Sequence, residues 1–327
     1  MANEFNFKKN LKVYLHTAAT GYLPLDVSED VSFGQTFANS SYPTKTIHAT
    51  HFLHQRGNIK KANPANFNFT IPLLEENDLK PVFDRLVQFQ SSTNTLQTFD
   101  LYFRYPDSVD TDDVFKIETC VITEGLFIIN QAQPLSLTIS GQGSKLSRIS
   151  GMPSGFSEAS RSSTRTFQPL NFFEVKILNN AIQKGVTSVS LELQNDIEWI
   201  NNTSVHTGVL TTGLSNTTYP TAFALKERKL GGSLSVYVED ESSVTNQVIQ
   251  GWDLSTLTAS SHTSLFEIKA GSKSDFSKGI KFVVDTRDEI TNTRRVTSEQ
   301  LMIYNIDFSY AAVGSLNLNN IIKYNTT

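Results

Sequence analysis

The sequence predicts a mostly β protein built from two similar domains in tandem, and three observations support this. Ser, Thr and Asn are abundant, and 22 Phe accompany only 18% charged residues. Thr and Phe suit strands, whereas Ser and Asn compete with a helical backbone for hydrogen bonds. Several segments alternate apolar and polar side chains, as half-buried strands do. A short motif also recurs in the second half of the 327-residue chain.

Strands are predicted wherever apolar side chains recur at every second position. In Thr187–Trp199 the residues Val189, Leu191 and Leu193 share one face, and polar residues share the other. The same pattern occurs in five further segments, Phe67–Leu73, Phe99–Tyr105, Leu135–Ile139, Leu234–Val238 and Tyr304–Tyr310. Such alternation is typical of antiparallel sheets with one face on a core and the other toward water or another subunit.

Two helices are predicted, each directly after an alternating strand. Apolar residues recur with helical spacing in Glu76–Phe89, and Asn77 or Asp78 can cap its first turn. Pro81 is tolerated because it lies in that first turn. The second predicted helix is Ser242–Trp252, with four apolar residues on one face.

The repeated motif is a hexapeptide. Asn39–Thr44 reads NSSYPT and Asn216–Thr221 reads NTTYPT, 177 positions later. A polar and basic stretch, a strand, a helix and further strands follow each copy. This shared order predicts a duplication, with a first domain at 1–145, a linker at 146–168 and a second domain at 169–327.

Two long polar segments are candidates for contacts between subunits. Gly141–Pro169 is rich in Ser and Gly and carries basic residues, which predicts a linker or exposed arm too polar to pack by itself. Asn201–Thr218 is a second long loop, and loops above about 15 residues are usually functional or disordered. The candidate residues are Arg161, Arg165, Thr203, Gly208 and Gly213.

Composition excludes several classes of function. The formal net charge of −4 gives no general basic field for binding nucleic acid. The single cysteine, Cys120, cannot form an intrachain disulfide and lies in an apolar strand pattern. Met1–Asn10 lacks the apolar stretch of a signal peptide, and no apolar run is long enough to span a membrane. We therefore expect a soluble protein that is made in a cytoplasm.

No residue pattern predicts catalysis. His48, His51 and His54 are spaced by three and have neither cysteine nor acidic residues among them, so a metal would need ligands from elsewhere. The acidic run Asp107–Asp113 lacks the glycine of a calcium loop and is typical of a solvated hairpin tip. Gly141–Lys145 is followed by linker, not by the helix of a phosphate-binding turn. We expect no enzyme, catalytic residue, cofactor or metal.

One part of the second half resembles the tail tube proteins of tailed bacteriophages. The similar features are the strand Val186–Trp199, a long polar loop, Tyr219–Pro220 and the segment Leu225–Asp240, which reads LKERKLGGSLSVYVED. The similarity extends over Phe173–Gly314. The first half departs from the pattern, because Asn63–Asn66 replaces the Gly-Gly-Ser entry to the strand.

The resemblance implies a β-barrel or β-sandwich flanked by one helix in each half. It also implies rings of six such domains, so that two domains per chain give a homotrimer with pseudo-hexameric symmetry. Stacked rings form the channel for DNA ejection in the virion, and the DNA passes without specific binding. The implied partners are further copies and other tail proteins, namely tip, terminator, and sheath or tape measure proteins, with no membrane contact.

A channel for DNA needs a wall that does not hold phosphate. Glu192, Gln194 and Glu198 lie on the polar side of Val186–Trp199 with no basic residue between them, and we expect them to face the lumen. The basic residues Lys226, Arg228 and Lys229 lie on another segment and are expected at subunit contacts or on the outside.

Three alternatives remain open at this point. The chain can instead be a tube-like protein of the tail tip or a tube initiator, which shares the fold but occurs in few copies. It can be a β-sandwich that binds carbohydrate through exposed aromatic residues such as Trp199, Tyr219 and Trp252. An enzyme would require catalytic residues that the sequence does not suggest.

Deleting Thr203–Ser215 should leave a folded protein that no longer polymerises, because the long loop is expected to contact neighbouring subunits. Size-exclusion chromatography and negative-stain microscopy of the purified variant measure the outcome. Normal polymers from the deletion variant would contradict the assignment.

Overall fold

The computed structural model describes the chain except residues 1–10, 29, 41–42, 45–52, 55–58, 91–94, 106–112, 131–132, 178–180, 183–184, 202–216, 238–264, 286–289, 299–301, 311–320 and 326–327. Nearly all strand pairs among the described residues are antiparallel, which confirms the mostly β fold class. A 3₁₀ turn at Asn77–Leu79 leads into helix α1 at Lys80–Val87, within the predicted helical segment. The second predicted helix, Ser242–Trp252, lies outside the described residues.

The described strands are numbered in chain order. The first half contains β1 (Lys12–Thr17), β2 (Gly21–Leu25), β3 (Ser32–Gly34), β4 (Phe37–Ser40), β5 (Pro43–Thr44), β6 (Leu53–His54), β7 (Ile59–Ala62), β8 (Ala65–Pro72), β9 (Phe89–Gln90), β10 (Thr95–Leu96), β11 (Phe99–Tyr105), β12 (Asp113–Asn130), β13 (Ser136–Gly143) and β14 (Lys145–Ser150). The second half contains β15 (Phe172–Ile177), β16 (Ala181–Ile182), β17 (Val186–Asn201), β18 (Thr217–Thr218), β19 (Pro220–Tyr237), β20 (Leu265–Gly271), β21 (Gly279–Asp285), β22 (Ile290–Ser298), β23 (Met302–Tyr310) and β24 (Ile322–Tyr324).

The first half is a sandwich of two sheet layers that share one long strand. One layer has the order β2-β1-β11-β12-β14, and the other has the order β3-β8-β13-β12. Strand β12 belongs to both layers because its pairing register shifts between Ile122 and Glu124. Such a bulge bends a strand, so the two ends of β12 lie in different layers.

The second half repeats this order of strands. Its layers are β16-β15-β20-β21-β24 and β17-β19-β23-β22, with β21 and β22 in the places of the two ends of β12. This correspondence is what a duplication predicts. The domain limits and the equivalence of the two helices stay predictions, since the second helical segment is not described.

The two halves are joined by a strand pair, which we call the seam. In the seam, residues 124–130 of β12 pair antiparallel with residues 188–194 of β17. Eight strands therefore form one continuous antiparallel sheet, with the order β3-β8-β13-β12-β17-β19-β23-β22. We call this the long sheet. It does not close into a barrel among the described strands, so within one chain the sandwich alternative holds.

Buried aromatic side chains fill the space between the layers of each half. Phe33 of β3 stacks on Phe103 of β11, with ring centroids 4.1 Å apart. In the second half, Phe282 of β21 lies 6.0 Å from Phe308 of β23. Alternation places these rings inward, because every second residue of each strand points to the core. Cys120 is fully buried in this core, and its burial raises its pKa well above the usual range.

A phenylalanine lies directly opposite a glycine in the long sheet of each half, with the roles of the two strands exchanged. Phe67 of β8 pairs with Gly141 of β13, whereas Gly232 of β19 pairs with Phe308 of β23. A Cβ atom at Gly141 would overlap the Phe67 ring and the Val121 carbonyl oxygen. Glycine is therefore required where the ring lies across the neighbouring strand.

The segment predicted as a linker is not an exposed arm, and this expectation is wrong. Residues 145–150 form β14, which pairs with β12 along six positions. Met152 and Phe156 then pack on Tyr14 and Tyr22, on the outer side of the first layer. The apolar residues are sparse, but each covers an aromatic side chain, and strand pairing satisfies the polar backbone.

Gly141→Ala should destabilise the chain by about 1–3 kcal/mol, because the added methyl group forces the Phe67 ring or the β12 backbone to move. Urea unfolding of the purified protein measures the change. Gly34→Ala is the matched control, since a Cβ at Gly34 has no heavy atom within 4 Å and should change stability by less than about 0.5 kcal/mol. Equal unfolding midpoints for the two variants would contradict the packing argument.

Candidate functional surfaces

One face of the long sheet carries mainly hydroxyl and amide side chains. They alternate with the buried residues on each strand, and we call this surface the polar face. Its members include Asn66, Asn68, Thr70, Thr138, Ser140, Gln142, Ser188, Ser190, Gln194, Ser233, Ser235, Asn305 and Ser309. Leu126 and Ile128 interrupt it at the seam, where Ile128 is 42% exposed.

Neighbouring strands of the polar face are linked by side-chain hydrogen bonds. Asn68 donates to the Ser140 hydroxyl at 2.7 Å, and Ser235 donates to the Asn305 carbonyl oxygen at 2.8 Å. The hydroxyl pair Thr70 and Thr138 is 2.9 Å apart. These ladders use up donors and acceptors within the sheet, so the face presents few free groups for tight binding.

The polar face has few charges. Among the described side chains they are Glu124, Glu192, Asp307 and Lys229. Gln194, which we expected beside Glu192, donates a hydrogen bond to its carboxylate. With three carboxylates and one ammonium group, the face is weakly acidic.

Glu198 lies farther along β17, beyond the part of the sheet that contains Glu192. Its carboxylate forms an ion pair with Lys226 at 3.0 Å, and this contact raises the pKa of the lysine. Lys226 is the extra residue of a bulge, because Asp196 pairs with Glu227 and Ile197 pairs with Leu225. The carboxylate of Glu198 is therefore neutralised.

The expected separation of acidic and basic residues is wrong. Lys229 pairs in register with Gln194 on the polar face, and Lys226 contacts Glu198. Arg228 points to the opposite side of the strand. Strand pairing causes the difference, since β19 lies directly beside β17 and brings its lysines next to the β17 carboxylates.

The core side of the seam is apolar and closed by helix α1. Phe127 pairs in register with Leu191, and Gly125 pairs with Leu193. The side chain of Leu86 in α1 occupies the space above Gly125, where any larger residue would overlap it. A glycine therefore lets the helix approach the junction of the two halves.

Arg228 and Asn195 join the halves by polar contacts behind the seam. The Arg228 guanidinium donates to the carbonyl oxygens of Leu86 at 2.6 Å and Val87 at 2.9 Å, the last residues of α1. It also donates to the Asn195 side chain at 2.7 Å, and Asn195 donates to the Ile122 carbonyl at 2.9 Å. Burial lowers the pKa of Arg228 to about 10, so it is still cationic at neutral pH and stabilises the helix C-terminus.

The sequence analysis did not identify this pair, although a signal exists. Asn195 continues the every-second-residue series of Val189, Leu191 and Leu193, and it is only 3% exposed. A polar residue at an inward position requires a hydrogen-bond partner in the core. The partner could not be inferred, because α1 is more than 100 residues away in the chain.

The C-terminal residues bind the first half at a second place. The Leu74 carbonyl oxygen accepts hydrogen bonds from Gln168 at 2.7 Å, Tyr324 at 2.5 Å and Asn325 at 3.0 Å. Burial raises the pKa of Tyr324. Strand β24 of the second half is thereby fixed at the start of the α1 segment.

A third contact involves the second copy of the hexapeptide. The Tyr219 ring packs edge-on against Phe37 of β4 at 6.4 Å, and Lys145 lies 5.3 Å above its centre. Strand β18 also pairs in parallel with β7 of the first half. The hexapeptide of the second half thus lies against the first half, while Tyr42 of the first copy lies outside the described residues.

The two arginines proposed for assembly are engaged within the chain. Arg161 and Arg165 both donate to the carboxylate of Asp26, at 3.0 and 2.9 Å. They fasten residues 151–168 to the first half, and their role in contacts between subunits stays a prediction. The other three candidates, Thr203, Gly208 and Gly213, lie outside the described residues.

The candidate aromatic residues for carbohydrate are also engaged or not described. Trp199 donates its indole N–H to Gln142 at 2.9 Å and packs against Phe223. Trp252 lies outside the described residues, as do His48 and His51. Of the acidic run, Asp113 forms an ion pair with Arg148.

Other kinds of site were sought in the described part of the chain. No group of three or more His, Cys, Asp or Glu side chains in that part is arranged to hold a metal ion. None of the described helices combines the length and hydrophobicity needed to span a bilayer. A cavity of about 300 Å³ at one end of the seam is lined by Ile129, Leu170, Phe173 and polar uncharged neighbours.

Both ends of the long sheet are strands with one unpaired edge among the described residues. Strand β3 pairs only with β8, and strand β22 pairs only with β23. An exposed edge carries free backbone N–H and C=O groups that can pair with another chain.

Comparison with known families gives one match. A family model described as the Bacteriophage Baseplate Tube Protein Family matches residues 4–265, which is most of the chain. No curated protein matches the chain.

Arg228→Met should lower the free energy of unfolding by about 2–4 kcal/mol, because it leaves the Leu86 and Val87 carbonyls and Asn195 without a charged donor. Urea unfolding measures the loss. Lys229→Met at the adjacent exposed position should change stability by less than about 0.5 kcal/mol. If both variants unfold at the same urea concentration, Arg228 does not stabilise the junction.

Proposed function

The chain belongs to the bacteriophage baseplate tube protein family, and on that premise we propose that it forms rings of the tail tube through which phage DNA is ejected. Membership makes it a structural, tube-forming component of a phage tail or baseplate and hence of the virion. The proposal adds the ring, the stacking of rings and the passage of DNA.

The observation that carries the proposal is the contrast between the two faces of the long sheet. One face is packed on the core, whereas the polar face extends across both halves without a cluster of basic residues. DNA binds proteins mainly by exchanging its counterions for Lys and Arg. A wall of hydroxyl and amide groups with a few carboxylates would let DNA slide, and we assign the polar face to the lumen.

We propose that three copies form each ring. Each chain supplies two halves with the same strand order, so three chains give six similar units and pseudo-hexameric symmetry. Closed symmetry of this kind satisfies every sheet edge, since the last strand meets the first. Neighbouring rings and other tail proteins are the expected partners above and below.

The family description favours a place in the baseplate over the long part of the tube. A baseplate component occurs in few copies, as the tail tip or tube initiator would. Negative-stain microscopy of the purified protein separates these positions, because a baseplate component should give single rings or short stacks. Long hollow filaments would indicate the major tube subunit, and particles without a central channel would contradict the proposal.

Reversing the charge of the lumen should impair DNA ejection. We expect Glu124→Lys with Glu192→Lys to assemble normally, because both residues lie on the polar face and not in the core. The added positive charge should hold DNA and reduce infectivity per particle at least about tenfold, more strongly at low salt. Plaque counts per particle and DNA release from purified virions measure the effect.

The matched control adds two lysines elsewhere, Ser163→Lys with Thr164→Lys, at exposed positions of the segment that covers the first half. This control should infect normally. If the polar-face variant releases DNA as fast as the control, the polar face does not line the channel.

A further inference from the structure

We propose that the free edge of β22 pairs antiparallel with the free edge of β3 in a second copy of the chain. The new junction would repeat between chains the seam that joins the two halves within one chain. The inference rests on the proposed function, since it names the contact that closes the ring.

The argument starts from equivalent positions in the two halves. In the first half, β8 lies between β3 and β13, and the C-terminal end of β12 follows β13. In the second half, β19 lies between β17 and β23, and β22 follows β23. Strand β3 therefore corresponds to β17, and β22 corresponds to the end of β12.

The seam shows how these two kinds of edge fit together. It joins the end of β12 to β17 by seven antiparallel register pairs, Glu124–Gln194 through Asn130–Ser188. The partners left over at the two ends of the long sheet are β22, which corresponds to β12, and β3, which corresponds to β17. One chain thus carries both halves of a second junction of the same type.

The edges also need a partner. Strand β22 is nine residues long, and none of the described strands pairs with its outer edge. A long unpaired edge leaves a row of backbone donors and acceptors and invites association. Pairing with β3 of the next copy would satisfy it and would continue the sheet in the same direction around the ring.

The chemistry along β22 agrees with this position. Thr293 and Arg295 pair in register with Asp307 and Asn305 of the polar face. At the opposite end, Ser32 is exposed and pairs with Asn68 of the same face. The polar pattern therefore reaches both edges, as required for a wall that continues from chain to chain.

Repetition of one junction also explains closure. The two edges differ from each other, so the contact is head-to-tail, and such contacts either close into a ring or form an open helix. If the junction between chains repeats the geometry of the seam, three chains provide six equivalent junctions. Three of them lie within chains and three between chains.

Disulfide trapping tests the pairing. Ser32→Cys is combined in turn with Thr291→Cys, Thr293→Cys, Arg295→Cys or Thr297→Cys, alternate positions of β22 that cover the possible registers. The native Cys120 is fully buried, so it should contribute little background. After mild oxidation of assembled protein, at least one pair should give covalent trimers on a denaturing gel.

Two control pairs accompany the test. Ile128→Cys with Ser190→Cys joins register partners across the seam and should give an intrachain disulfide without covalent oligomers. Ser32→Cys with Lys323→Cys uses an exposed position of β24, in the other layer, and should give neither. Thermal unfolding of the reduced variants verifies that each is folded.

The outcomes separate the two proposals. Covalent trimers support the β22–β3 junction and the closed ring, whereas a ladder extending beyond trimers supports the junction and contradicts closure at three. Rings seen by microscopy without any of the four cross-links would overturn the β22–β3 pairing and leave the proposed function standing. Absence of both rings and cross-links would contradict both.

Discussion

The fold depends on the antiparallel pairing of β12 with β17, because this pair turns two sandwiches into one sheet. A strand edge in the middle of a chain would otherwise leave backbone groups unpaired. Once the seam forms, α1 can close it from the core side through Leu86 above Gly125. Arg228 then finds the helix C-terminus within reach and contributes a charged donor to it.

The same alternation produces the core and the polar face. Each strand of the long sheet places every second residue inward, and the remaining positions carry Ser, Thr, Asn and Gln. Hydrogen bonds such as Ser190 with Ser233 link neighbouring strands on the outer side. The result is a surface that is stable without being apolar and neutral without being inert to water, which suits a wall that must not adhere to a passing polyanion.

The two halves share their strand order but differ in their details. The first half is covered by residues 151–168, held by contacts of Arg161 and Arg165 with Asp26, whereas β24 of the second half is anchored at Leu74. The phenylalanine and glycine of the paired strands β8 and β13 are exchanged in β19 and β23. Strand order is therefore common to both halves, while the side chains that fill each sandwich are particular to it.

The sequence by itself determined the mostly β class, α1, and the positions of Glu192 and Gln194 on the polar side of β17, because these depend on the local period of side chains. Tertiary structure alone decided which strands are neighbours. It placed Lys226 beside Glu198, turned Arg228 toward α1 and folded the polar linker onto the first half. The physical reason is that strand pairing joins residues that are distant in the chain, and a single bulge shifts which partner each residue meets.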